Sequence, residues 1–332
     1  MSMTPWSWAH RKYACSTLPR SPSGEAAEVW CRRAQDFEKV VKTGDSRHRV
    51  QSRKATSSSS SQPVEACADV TQYSSHLTPN GKRIPNDMQT IFINYADHRF
   101  RRRQRMNANS AAREGGVDQC IRYQPKDLEA SFVQSNKFLL GMERGAGLWL
   151  WKPHIILDAM ARVEVGDIII YCDSGAIVTG SLTPLIEACG ALKEGVLGFS
   201  VGYEFLERKW TKRDAFTLMG CDSKEYWDTP QLRAGTMLFA KCNASLDFVS
   251  EWMDLVRQVR LVSDMPSLCD EPEFDDFQSH RHDQSLFSLL YKKRGYASYE
   301  TLTGRHVDDV IRRNRSPEPS VFRLLQSCLV PR

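Results

Sequence analysis

The chain has 332 residues, 41% of them hydrophobic and 26% charged, which is enough for a sizeable buried core in one large domain. Its net charge of +5 is unevenly placed: 13 of the 45 Lys/Arg and 8 of the 40 Asp/Glu fall in residues 1–87, and the remainder holds 32 of each sign. A neutral domain lacks the one-sided charge that duplex nucleic acid demands, so that class of partner is excluded.

Residues 1–87 contain the serine run Ser57 to Ser61, scattered proline and few periodic apolar positions. That composition cannot repay the entropy of ordering and predicts a disordered basic, Ser-rich extension, with one short helix over Ala26 to Val41. Arg11, Lys12 and Arg20 precede the first acid, Glu25, a faint organelle-transit character without a clear amphipathic helix. No secretory h-region and no membrane-length apolar stretch is present, so a soluble chain is expected and the compartment, cytoplasm or secretory lumen, stays open. The sequons Asn243-Ala244-Ser245 and Asn314-Arg315-Ser316 matter only in the secretory case. Ten scattered cysteines with no C-x-x-C pair exclude structural zinc and lean towards a reducing compartment.

From residue 88 to 332 the character is that of an α/β domain. Thr90 to Tyr95 is a compact β-rich run, followed by an arginine run, Arg99 to Arg105, that reads as a solvated face. A strand at Gln119 to Tyr123 and a helix from Lys126 to Met142 come next, with Leu128, Phe132, Phe138 and Leu139 on its apolar side. Lys152-Pro153 opens a second helix carrying Ile155, Ile156, Met160 and Val163. The strand Asp167 to Cys172 is continuously apolar, which predicts burial on both faces of a mainly parallel sheet. Further strands are expected at Val196 to Val201 and Thr236 to Ala240, a strong amphipathic helix between Leu246 and Val262, and a last helix from Ser285 to Lys292. Ligands of such a sheet bind beyond the carboxyl ends of its strands.

Asp173 stands where the central strand gives way to Ser174-Gly175, the place for a divalent cation and a diphosphate. An isolated Asp-x-Gly most often only caps a turn, so the weight falls on the motifs around it. Lys152 is a cation for a diphosphate, and Trp149 and Trp151 are a stacking wall for a base or sugar, although tryptophans in apolar surroundings are more often core. Lys212, Arg213 and Asp214 suit a phosphate clamp or an exposed salt-bridged loop. Asp283 falls in the first turn of the last helix, either as a cap or, with Gln284, as a group that holds sugar hydroxyls or receives an acceptor proton.

Taken in order, Arg144-Gly145-Ala146-Gly147-Leu148-Trp149-Leu150-Trp151-Lys152-Pro153, Gly166 to Gly175, Trp210 to Asp214, Gln231-Leu232-Arg233-Ala234-Gly235 and Arg281-His282-Asp283-Gln284-Ser285 resemble a family of nucleotide-diphospho-sugar transferases with the A-type glycosyltransferase fold. The resemblance covers residues 88 to about 310. It implies a single Rossmann-like domain that moves a sugar from a nucleotide-diphosphate donor to a glycan or other hydroxyl acceptor. Asp283 and Gln284 would be catalytic; Lys152, Trp151, Asp173, Ser174, Gly175, Lys212, Arg213 and Asp214 would bind the donor; Gly235 and His282 would meet the acceptor. Mn²⁺ or Mg²⁺ would rest on Asp173 with His306 as the positional second ligand, because Gly175 replaces the second aspartate of the family's Asp-x-Asp. That replacement motivates a rival reading, a non-catalytic nucleotide- or carbohydrate-binding relative. A nucleotidyltransferase would need a glycine-rich phosphate loop after the first strand, and residues 94–105 hold no glycine.

Overall fold

The computed structural model describes residues 88–314, all within one unit of the chain, Gln62–Arg332. The extension, the Ala26 to Val41 helix and Ser316 of the second sequon lie outside the described residues. A five-stranded sheet has the order β2-β1-β3-β6-β5, from β1 (Thr90–Tyr95), β2 (Gln119–Tyr123), β3 (Ile168–Cys172), β5 (Val196–Leu197) and β6 (Thr236–Ala240). Strands β2, β1 and β3 are parallel, while β6 runs antiparallel to both its neighbours. A two-stranded ribbon pairs β4 (Ala176–Val178) with β7 (Ile311–Arg313). The described helices of eight or more residues are α1 (Arg101–Ser110), α2 (Trp151–Ala161), α3 (Thr183–Gly190), α4 (Asn243–Val256) and α5 (His282–Lys293).

The continuous apolar run of β3 is buried on both faces, as expected. Ile168, Ile170 and Cys172 join Leu185, Ile186 and Cys189 of α3 in one core layer. The alternate residues turn to the opposite face, where α2 brings Lys152 to 5.3 Å above the Tyr171 ring. On that side α4 buries Phe248, Val249, Trp252, Met253 and Val256, and α5 buries Leu286, Phe287, Leu289 and Leu290. Each fully buried Ile, Leu or Phe contributes about 1.5–3 kcal/mol relative to exposure.

Two sequence expectations are corrected, and the solvated arginine face is as expected. The helix over Lys126 to Met142 is broken into short pieces, Pro125–Asp127, Ala130–Ser135 and Lys137–Leu140. Asn136 causes the second break: its buried side-chain amide donates back to the Phe132 carbonyl at 2.8 Å, and its backbone leaves the helical region at φ −116°, ψ 19°. The strand begun at Val196 keeps ladder pairing only to Leu197, with an isolated bridge from Ser200 to Leu232. The arginine run is the start of α1, with Arg101, Arg102 and Arg105 exposed.

Candidate active site at the carboxyl ends of β1 and β3

Strand β1 lies between β2, which follows it, and β3, which comes later, so the chain leaves β1 on one side and returns on the other. That reversal opens a crevice beyond the carboxyl ends of β1 and β3. The antiparallel β6 adds its amino end to the same edge. Asp173 therefore emerges from β3 directly beside Gly235, and its N–H donates to the Gly235 carbonyl at 2.8 Å.

Lys152 is the hub. Its Nζ lies 2.6 Å from Asp283 Oδ2, donates to the Ala234 carbonyl at 2.9 Å and sits 3.9 Å from Asp173 Oδ1. Asp173 Oδ1 also accepts from the Tyr171 hydroxyl at 2.6 Å. The Lys152 and Asp283 side chains are 3% and 5% exposed, whereas that of Asp173 is 47% exposed, so the pair is sealed beneath and Asp173 faces the crevice. Burial pushes the Asp283 carboxyl up to about 6, against the opposing pull of Lys152. Two carboxylates thus share one ammonium, Asp283 at 2.6 Å and Asp173 at 3.9 Å.

Asp283 opens α5 as expected, and its carbonyl is held by Trp252 Nε1 at 3.1 Å from α4. The neighbouring Gln284 is locked: Oε1 accepts from the Ala234 N–H at 3.4 Å and Nε2 donates to Gln231 Oε1 at 2.9 Å. His282 is buried with φ +48°, and its Nδ1 faces the Val262 carbonyl at 2.7 Å. Asp173 sits close over Gly235: a Cβ there would stand 3.0 Å from Asp173 Oδ2, so that the carboxylate would have to give by a few tenths of an ångström.

Several motif residues act differently from expectation. Lys152 is too enclosed to meet a diphosphate directly; it positions Asp283 and Asp173. Trp151 is no open wall: it is buried, stacked on Tyr95 at 3.8 Å, with Nε1 on the Gly145 carbonyl at 2.9 Å. Ser174 Oγ is spent on the Tyr95 carbonyl at 2.6 Å, tying the end of β3 to that of β1. Lys212, Arg213 and Asp214 form a loop anchor. The Lys212 ammonium, its pKa pushed down to about 8 by burial, donates to the carbonyls of Ser263 and Met265 at 3.1 and 3.2 Å. Arg213 lies over the rings of Phe274 and Trp227 at 4.4 and 5.1 Å. Asp214 takes a bidentate contact from Arg260 and the N–H groups of Leu268 and Cys269. Exposed tripeptides and buried anchors share the same polar letters, which is why sequence alone placed these at the phosphate.

A divalent cation would find Asp173 as its carboxylate from this chain. Its half-exposed side chain fits an ion that also takes diphosphate oxygens, a mode in which one protein carboxylate suffices. Gly175 adds no ligand, although a Cβ there would meet nothing within 4 Å. His306 is exposed, and among the described residues no group of three or more His, Cys, Asp or Glu gathers at one point. Tyr171, whose hydroxyl donates to Asp173, is a residue that sequence reasoning missed, because it read as one more apolar letter of β3.

No protein-family model matches the chain, and no curated protein matches it. Among solved structures it is similar to mouse xyloside xylosyltransferase 1 in its apo form, at 10% identity and a TM-score of 0.39, over 64% of this chain and 84% of that one. It is similar also to the apo bifunctional glycosyltransferase WbbM, at 12% identity and a TM-score of 0.37, over 64% of this chain and 39% of that one. A third is the galactosyltransferase LgtC in complex with donor and acceptor sugar analogues, at 15% identity and a TM-score of 0.33, over 60% of this chain and 70% of that one. The chain thus spans well under half the length of WbbM.

Proposed function

We propose that this protein is a glycosyltransferase that moves a sugar from a nucleotide-diphosphate donor to an acceptor hydroxyl. The observation that carries the reading is the Asp173–Lys152–Asp283 array in the crevice at the carboxyl end of the central strand. In the transfer the bond between the anomeric carbon and the diphosphate oxygen breaks, and the diphosphate leaves with the electron pair. A bond from the same carbon to the acceptor oxygen forms, and the acceptor proton is released to water at the open side of the crevice, while ionised Asp283, enclosed with Lys152, sets the charge of the array. Lys152 holds the Asp283 carboxylate in place, and Gln284, fixed at both ends of its amide, presents a rigid edge to the sugar. Gly235 leaves room for the Asp173 carboxylate beside the backbone. Mn²⁺ or Mg²⁺ on Asp173 would supply neutralisation of the leaving diphosphate. His306 stays a proposed second ligand. The chain boundary near Asp87 and the separate extension before it belong to the same reading.

The Asp173 array also fits a protein that binds the donor without turnover, so the test must separate binding from chemistry. Thermal stabilisation of the full chain is measured against UDP, GDP and their common sugars, with and without Mn²⁺, alongside release of nucleoside diphosphate. Stabilisation by one donor, lost in Asp173→Ala, together with diphosphate release, supports the transferase. Stabilisation with no release under any acceptor leaves the binding relative, and no stabilisation by any donor sinks both.

A further inference from the structure

One buried nitrogen beside Asp283 has no partner. His282 Nδ1 faces a carbonyl, which only accepts, so Nδ1 carries the ring proton and Nε2 holds a bare lone pair. Nε2 is buried and makes no hydrogen bond, and Asp264 Oδ1, another acceptor, stands 3.6 Å away. Two acceptors face each other with no donor between them. Burial pushes the ring's pKa down and so favours the neutral form, against the pull of the Asp264 carboxylate and the Val262 carbonyl, with Arg144 and Lys212 adding to the effect of burial. Arg144 approaches the other carboxylate oxygen of Asp264 at 3.5 Å, which leaves Oδ1 for a different contact.

The surroundings hold this arrangement against strain. His282 opens α5 with a left-handed backbone, and Ala146, Leu148 and Trp149 adopt φ values of 51°, 52° and 59° in the loop before α2. Such backbones at non-glycine residues cost on the order of 1–3 kcal/mol each and cluster at ligand sites. The two strained segments meet where the half-buried Trp149 indole lies 5.4 Å from the His282 ring. Lys212 donates to the carbonyls on either side of Asp264, which fixes where that carboxylate stands.

We propose that Trp149, His282 and Asp264 form the acceptor subsite and that the acceptor is a sugar. A ring hydroxyl supplies the missing donor between Nε2 and Oδ1, and the sugar's C–H face lies against the indole. The proposal rests on the transferase reading and names its acceptor class. A simple alcohol or a serine side chain has one hydroxyl and no flat apolar face, so it would satisfy one half of this surface.

The test uses methyl galactosides, glucosides and xylosides against glycerol and a Ser/Thr peptide. Their binding to the full chain without donor is followed by ligand-observed NMR, and transfer is followed with the donor that stabilises the chain. Asp264→Asn places an amide N–H opposite Nε2 and so fills the gap from within. We expect it to abolish glycoside binding, to raise acceptor KM about tenfold or more while donor KM moves less than about twofold, and to raise Tm. Trp149→Ala should raise acceptor KM without the gain in Tm. Preference for the peptide or glycerol, or equal shifts in donor and acceptor KM, would overturn the proposal. Glycoside binding lost in Asp264→Asn would sustain the subsite even if no donor bound, in which case the transferase reading alone would fail.

Discussion

Asp283 couples the chemistry of the site to its stability. Its carboxyl is pushed up to about 6 in the folded chain, above the unfolded value near 3.9, so the folded state binds the proton more tightly. Stability from this group is therefore full at pH 4 and is lost as pH rises through 6, by on the order of 3 kcal/mol. In the proposed transfer activity runs the other way, because ionised Asp283 is the form that sets the charge of the Lys152–Asp173 array. The rate should fall on the acid side with an apparent pKa near 6, and Asp283→Asn should lose that limb and most of the rate. Its Tm should approach or exceed that of the parent at pH 7.5 but not at pH 4.5, as calorimetry at the two pH values would show. Asp173→Asn keeps an acceptor for the Tyr171 hydroxyl, so we expect a loss of about 10²–10³ in kcat with stability within about 0.5 kcal/mol. A large fall in Tm would make Asp173 a structural cap. Asp173 and Asp283 were legible in the sequence because a strand end and a helix start are local signals. The burial of Lys152 was not, since its partner Asp283 is 131 residues away. Composition says nothing about which of two distant polar residues will be enclosed together.

Among the elements, the segment leading into β6 runs directly beneath the Asp173 carboxylate. Gly235→Ala would place a methyl 3.0 Å from Asp173 Oδ2 and so displace that half-exposed carboxylate. We expect kcat to fall at least about tenfold with far-UV dichroism unchanged. Gly175→Asp is the opposite experiment. Its side chain enters open space and restores a second carboxylate, so the Mn²⁺ concentration for half-maximal activity should drop, and chelation should inhibit the variant more slowly than the parent. The strands were legible where runs such as Ile168 to Cys172 leave no alternative to double-sided burial. The break at Asn136 was not, because the apolar spacing Phe132, Phe138, Leu139 fits one helix as well as two. A single back-bonded amide decided it. Likewise β4 and β7 are three residues each, too short to show a period.

In the whole molecule, every part of the site is brought in by a different segment: Tyr95 from β1, Lys152 from α2, Asp173 after β3, Ala234 and Gly235 before β6, Asp264 from the loop after α4 and Asp283 from α5. The described part contains no helix long and apolar enough to cross a membrane, and Cys172 and Cys189 are free, buried and pushed up to about 12 by burial, so neither is a ready nucleophile. The layered fold was legible as a class, whereas the antiparallel direction of β6 was not, since its burial is the same in either sense. The separation of the site's parts along the chain also governs how it reaches its native state. The ammonium of Lys152 meets Ala234 and Asp283 only after the chain has closed loops of 82 and 131 residues. Closing such loops is slow compared with forming α2 or α4 locally. During refolding the helices should return early by dichroism, while donor binding, which needs all these segments at once, should return last and in a single step.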